Sequence, residues 1–411
     1  LFIMIRGMRP AAIFSIILAI VYILFQSLHP AYYMHLFPDV FAFHDRALFY
    51  FENLTLENLG YNEYQPGAIA FFITLSPVFF LGQSIETFKW ALFAANIGFI
   101  LIIAGFFIRM KKTAGVFLLS LLLVFLGPIL LFRFDLLVIL LTIFSFHLWE
   151  KKQKGLSMAV LAFAVITKVY PVIFLPYLLF QSFKSGKKTE ILYLFFIFLA
   201  CFLTYLLFYT FFFQIDLTGT WVSYNFHSLK SVATESVWAS FIYFFHFISG
   251  RPLPGMESAY GINAIARREV FPSIMFYNYF WILPIGVLYL TYFFRKKHWE
   301  KLDYRFLSLL VLIFLIFSKV LSNQYLAWFM FMLPLIDIKI LLRKSWIINI
   351  FLVCLTMILH TYIYPLNYSA WLAVLNTGQM ELFLFWVMLI SNFILPVLAI
   401  RMIIDLFKHD K

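Results

Sequence analysis

Residues 191–213 read ILYLFFIFLACFLTYLLFYTFFF, an unbroken apolar run without a single charged side chain. Wound as a helix rising about 1.5 Å per residue, a run of this length covers the roughly 30 Å hydrocarbon core of a bilayer. Comparable runs lie at residues 11–29, 88–108 and 382–404, and they recur from end to end. Of the 411 residues, 64% are hydrophobic and 12% charged. That is about half the charged fraction of a soluble domain. In lipid the backbone must satisfy its own polar groups, so spanning runs are helices. The composition predicts an all-α polytopic membrane protein with a single integral domain over residues 1–411. It excludes a soluble domain large enough to fold alone.

The net charge of +12 has a positional cause. Short basic clusters sit between apolar runs at residues 6–9, 109–112, 151–154, 184–188, 295–305, 339–344 and 401–411, and they hold 22 of the 31 Lys and Arg residues. Clusters of this kind mark cytoplasmic turns. The basic excess therefore reads as orientation, with no nucleic acid partner. Cys201 and Cys354 both lie inside apolar runs and read as small core residues. The first apolar run is long enough to span and lacks a small-residue cleavage site, so it reads as a retained helix.

Placing every basic cluster inside predicts ten spans with both termini cytoplasmic. Residues 30–65 form a first outer loop, with a surface helix over 41–58 that turns Phe41, Leu48, Phe49 and Phe51 to lipid. Residues 214–271 form a second large outer loop, whose apolar stretch 237–248 lies along the membrane surface. Two segments do not span in this scheme. One is 66–81; the other is 156–183, which enters and returns at a break in Lys168-Val169-Tyr170-Pro171, where proline disrupts the preceding turn. Helices over 114–132, 136–149, 271–294, 304–318, 326–342, 345–363 and 380–404 complete the path.

Polar residues concentrate at four places on the outer side of this scheme. The first is the outer loop, with Asp39, Asp45, Glu63 and Tyr64; a carboxylate there suits a general base, or is a solvated loop acid. The second is Arg133-Phe134-Asp135 at a hairpin tip, where two ions cost a few kcal/mol each unless paired or solvated. Mutual neutralisation is the simpler account. The third is Lys168 beside the Tyr170-Pro171 break, a cation that reaches a phosphate from within the membrane or snorkels to water. The fourth is the turn holding Lys319, Gln324, Tyr325 and Trp328, where the aromatic rings also fit a membrane-interface anchor. The histidines show no paired metal spacing, and the chain has neither a Gly-rich phosphate loop nor an Asp-x-Asp pair.

Taken in order, these stretches resemble the GT-C superfamily of lipid-linked-sugar glycosyltransferases. The pattern is similar to glycosyltransferase family 87, a DUF2029-like group, and to the mannosyltransferase family that adds the first mannose of GPI anchors. The matching features are Pro38-Asp39 after the first helix, Tyr64-Gln65-Pro66, the Arg133/Asp135 tip, Lys168 to Pro171, and Lys319 followed by Gln324, Tyr325 and Trp328. They fall within residues 10–340. The departure is the spacing of Asp39 and Asp45, wider than the acidic pair of the GPI enzyme, which leaves use of a divalent metal (magnesium or manganese) open.

The resemblance implies an inverting transfer of a hexose, mannose by family, from a polyprenyl-phosphate donor to a glycan, lipid or protein acceptor on the non-cytoplasmic face. The membrane would be the plasma membrane, or the endoplasmic reticulum in a eukaryote. Asp39 would take the acceptor proton, and Arg133, Lys168 and Lys319 would hold the donor phosphate. Asp45, Glu63, Tyr64, Asp135, Tyr170, Gln324, Tyr325 and Trp328 would line the substrate site. A transporter or lipid flippase is the competing class, but it would normally show internal duplication, which is not seen. A membrane acyltransferase would need a catalytic His near an acid, and only His44-Asp45 hints at one.

Overall fold

The computed structural model describes residues 2–54, 64–184, 188–213, 228–259, 262–270, 274–295, 301–377 and 382–408. Helices dominate: α1 Phe2–Gln26, α2 Pro30–Asn53, α3 Pro66–Leu75, α4 Ile85–Arg109, α5 Thr113–Leu126, α6 Asp135–Glu150, α7 Lys154–Thr167, α8 Leu175–Lys184 and α9 Lys188–Phe213. The second half adds α10 Val237–Ile248, α11 Ile274–Tyr279, α12 Ile282–Arg295, α13 Tyr304–Phe317, α14 Asn323–Met330, α15 Ile338–Leu341, α16 Lys344–Thr361, α17 Tyr368–Thr377 and α18 Leu382–Lys408. A two-stranded antiparallel ribbon, β1 Met256–Ala259 and β2 Ile262–Ile265, is an element that the all-α expectation lacked.

Five helices are long and apolar enough to cross a bilayer unaided: Ile85–Arg109, Thr113–Phe132, Thr189–Phe212, Lys344–Leu366 and Leu382–Lys408. Only 11% of the apolar window of Thr189–Phe212 is buried within the protein. Phe196, Leu203, Leu207, Phe208 and Phe211 point outward, and an apolar face of this length matches the hydrocarbon core of a bilayer. The chain is a membrane protein. Pro10–Gln26, Pro66–Phe80, Lys154–Thr167, Val237–Ile248 and Tyr304–Phe317 are apolar but shorter.

Helix pairs α1/α5, α6/α7, α7/α9 and α16/α18 pack along each other. Between helices in lipid the hydrophobic effect adds little, so close packing and hydrogen bonds hold the bundle. Ser145 and Ser157 donate to each other's backbone carbonyls at 2.9 and 2.8 Å, joining α6 to α7. Arg401 on α18 donates to Asn349 Oδ1 on α16 at 2.8 Å. Gly67, in the first turn of α3, lies so close to the end of α7 that a Cβ there would sit 2.8 Å from Thr167 Cα. Only glycine permits that approach, one residue before Lys168.

Four sequence expectations are corrected. Residues 30–40 are not loop: His29 caps α2, Pro30 occupies its first turn, and the helix continues through Pro38 to Asn53, covering 41–53 where a helix was expected. Tyr32, Leu36, Val40, Phe43 and Ala47 are buried at helical spacing, so tertiary packing overrides the proline as a stop signal. Phe41 is exposed as expected, whereas Leu48 and Phe51 pack on the core. Residues 326–342 are not one helix, because Pro334 and the capping Asp337 divide them into α14, a short 3-10 turn and α15. The expected helix over 271–294 is likewise divided, into α11 and α12. The break at Lys168 falls where the sequence puts it: α7 ends at Thr167, Lys168 is extended, and a 3-10 turn begins at Tyr170.

Candidate active site

A cavity of about 560 Å³ opens where α2, the start of α6, the α7 break, the α14 turn and residues 230–263 meet. Its lining includes Asp39, Tyr64, Arg133, Asp135, Lys168, Gln324 and Tyr325. These residues come from sites up to 286 positions apart, and local chain geometry aims each one. Asp39 is carried by the continuous α2. Arg133 follows a 3-10 turn over Gly127–Phe132 and is extended. The buried Asn96 on α4 donates to the carbonyls of Leu131 and Arg133 at 3.0 and 2.8 Å, fixing that tip.

Two ion pairs stand side by side. Arg133 Nη1 contacts Asp39 Oδ1 at 2.5 Å, with the Asp39 side chain 28% exposed. Burial works against the guanidinium charge, but Asp39, with smaller contributions from Tyr364, Tyr64 and Asp135, outweighs it and raises the Arg133 pKa. Arg133 Nη2 also approaches the Tyr364 hydroxyl at 3.4 Å, and that hydroxyl donates to the His35 carbonyl at 3.1 Å. In the second pair, Lys168 Nζ donates to Asp135 Oδ1 at 2.7 Å. Trp328 Nε1 donates to the same oxygen at 2.6 Å.

The rings of Phe134, Tyr325 and Trp328 surround the Lys168 ammonium at 4.9, 4.6 and 4.9 Å, a cage that favours a desolvated cation. Burial nevertheless lowers the Lys168 pKa, with Asp135 opposing it. Tyr170 stacks flat on Trp328 at 3.9 Å, so it supports the cage from behind. Arg133 Nε and Asp135 Oδ2 are buried without a partner. Orphaned polar atoms in so dense an ionic cluster call for a reason beyond stability.

The structure gathers Asp39, Tyr64, Arg133, Asp135, Lys168, Gln324 and Tyr325 around one space, and it sends other candidates elsewhere. Lys319 does not line the cavity: its Nζ donates to the carbonyls of Ser228, at 3.0 Å, and Lys230. Its own carbonyl accepts the Ala233 N–H at 2.9 Å. A turn that the sequence reads as a phosphate cation is thus a strap on residues 228–233. Burial, with Arg267 and Lys230 nearby, lowers the Lys319 pKa to about 7. Asp45 is exposed and pairs with His44, whose Nε2 meets the Gln83 carbonyl at 3.1 Å. That contact holds α2 to the turn before α4 and forms no catalytic pair in the cavity. Trp328 and Tyr170 stand behind the cavity wall, and Glu63 lies outside the described residues.

Sequence reasoning missed part of the lining. Lys230, Glu235, Ser258 and Asn263, with Tyr364 and Tyr368, border the same cavity. Burial raises the Glu235 pKa, with the Tyr368 hydroxyl facing the carboxyl and opposing the shift. Nothing in the sequence singles Glu235 out from Glu257 or Glu269. The Tyr364-Pro365 step was a readable signal, a second Tyr-Pro break at the end of an apolar helix like that at Tyr170. Among the described residues no three His, Cys, Asp or Glu side chains gather to hold an ion. No protein-family model matches the chain, and no curated protein matches it.

Proposed function

We propose that this chain is a membrane glycosyltransferase that moves a hexose from a polyprenyl-phosphate carrier to an acceptor hydroxyl, with inversion, on the non-cytoplasmic face. The observation that carries the reading is the meeting of Arg133 and Lys168, each with a carboxylate partner, in one cavity of a lipid-embedded bundle. The two pairs balance in charge before a ligand arrives. A phosphodiester anion then binds through donors that the carboxylates leave unused: Arg has five N–H donors and Lys three. As the anomeric C–O bond breaks, charge grows on the departing phosphate, and fixed cations stabilise it. A carrier lipid that lives in the membrane reaches such a site between helices. Mannose is the sugar the resemblance implies.

Three carboxylates line the space, Asp39, Asp135 and Glu235; Lys168 and Trp328 both hold Asp135 Oδ1, and the proton of the acceptor goes to Asp39 or Glu235. Purified protein in lipid, given a panel of labelled polyprenyl-phosphate hexoses, tests the reading. Transfer is expected with at least one donor, and Arg133→Ala should lower it about 10²–10³-fold. A flippase would move the lipid across vesicles while leaving the sugar on its carrier, and that result refutes the reading.

A further inference from the structure

We infer that Glu235, which lines the same cavity as the ion pairs, is the base that takes the acceptor proton, and that Asp39 serves to hold Arg133. The inference rests on the transferase reading and deepens it.

The geometry separates the two acids. Asp39 Oδ1 is spent on Arg133. A proton placed on Asp39 would leave a buried guanidinium without its counter-ion at the moment the leaving phosphate needs that cation in place. Glu235 faces the Tyr368 hydroxyl instead, and gaining a proton there breaks no ion pair of the donor site. Its environment favours the protonated carboxyl, which suits a group that gains a proton during the reaction. The other titratable groups around it are Tyr364 and Tyr368 from the chain after α16, Tyr243 from α10, and Lys230 on its own segment. Asp39 and Arg133 line the same cavity.

The backbone holds Glu235 as firmly as a catalytic group requires. Ser236, the next residue, caps α10 by accepting the Ala239 N–H at 3.1 Å. Asn392 of α18 donates to the Glu235 carbonyl at 3.1 Å. The Thr234 N–H donates to the Asn263 carbonyl and the Ile265 N–H to the Val232 carbonyl, at 3.1 and 2.9 Å, so the segment makes a single antiparallel bridge to β2 at Ala233 and Ala264. Lys319 straps the same segment from its other edge. Lys319 is therefore a positioning residue for Glu235.

In the step itself, the acceptor oxygen bonds to the anomeric carbon while the carbon–oxygen bond to phosphate breaks. That electron pair leaves on the phosphate, giving polyprenyl monophosphate. The hydroxyl proton goes to Glu235 and then to water.

The test compares pH profiles of transfer for the wild type, Glu235→Gln, Glu235→Asp and Asp39→Asn in lipid, each shown folded by its melting curve. Glu235→Gln should lose at least about 100-fold in kcat while donor KM stays within a few-fold. Glu235→Asp should recover part of the rate and keep the acidic limb of the profile. Asp39→Asn should raise donor KM and keep that limb. Glu235→Gln working at the wild-type rate, or Asp39→Asn alone abolishing the limb, overturns the inference and leaves the transferase reading standing. A folded wild type that transfers no sugar from any donor overturns both.

Discussion

Replacing Lys168 with Met removes one half of a buried ion pair and leaves the other half in place. The Asp135 side chain is 1% exposed and that of Lys168 12%. Asp135 would keep only the Trp328 indole as a donor. Breaking a buried pair from one side costs about 3–5 kcal/mol, or roughly a 10²–10⁴-fold rise in the unfolding constant. Asp135→Leu should cost less, because Lys168 can shed its proton, a change that burial already favours, and it keeps its three aromatic neighbours. The double variant, apolar on both sides, should recover most of the loss, since a buried pair exchanged for packed apolar groups is close to neutral. Unfolding titrations in mixed micelles give the four values of the cycle. Single costs below about 1 kcal/mol, or costs that simply add in the double variant, would refute the picture of a dry, coupled pair. Transfer assays on the stable double variant then separate folding from function: full activity without Lys168 would remove it from the phosphate site.

Arg133→Lys keeps the charge but loses the planar fork, so it should retain the Asp39 contact in part and still lose transfer by about tenfold or more, read as a rise in donor KM. Gly67→Ala should lower the melting temperature and reduce transfer together, because the new Cβ would push on the Thr167 backbone next to Lys168; an unchanged melting curve refutes the close approach. Glu235 has its pKa raised above the ordinary value of 4.5, so the folded state holds the proton more tightly than the unfolded one. Its contribution is then fully present below about pH 4.5 and is lost as pH rises through the folded value. Glu235→Gln should consequently melt above the wild type at neutral pH, with the gap closing toward acid; a gap independent of pH contradicts the assignment. Asn96→Ala should loosen the Arg133 tip by removing two hydrogen bonds, at about 1–2 kcal/mol, measured by the same titration.

Much of this protein was legible in its sequence because lipid is an unforgiving solvent. A run such as 191–213 has one stable conformation there, and hydropathy alone reports it. The break at Lys168 was equally readable, since proline and a stranded cation are local signals. The convergence of Asp39, Arg133 and Lys168 could be expected from the order of motifs, but not which oxygen meets which nitrogen. Pairing is decided by side-chain reach within the packed bundle, and there Asp39, read as a general base for the acceptor, pairs with Arg133.

The remainder was decided by tertiary structure. Pro38 looked like loop until packing of Tyr32, Leu36, Val40, Phe43 and Ala47 against the core carried a helix through it. Lys319 looked like a ligand cation until the carbonyls of residues 228 and 230 claimed its protons. Glu235 carries no local mark at all, because its surroundings come from α17, α18 and a ribbon that are distant in the chain. Hydropathy is a property of consecutive residues and survives in one dimension. The environment of a charge is set by whatever packs against it, and only the folded bundle determines that.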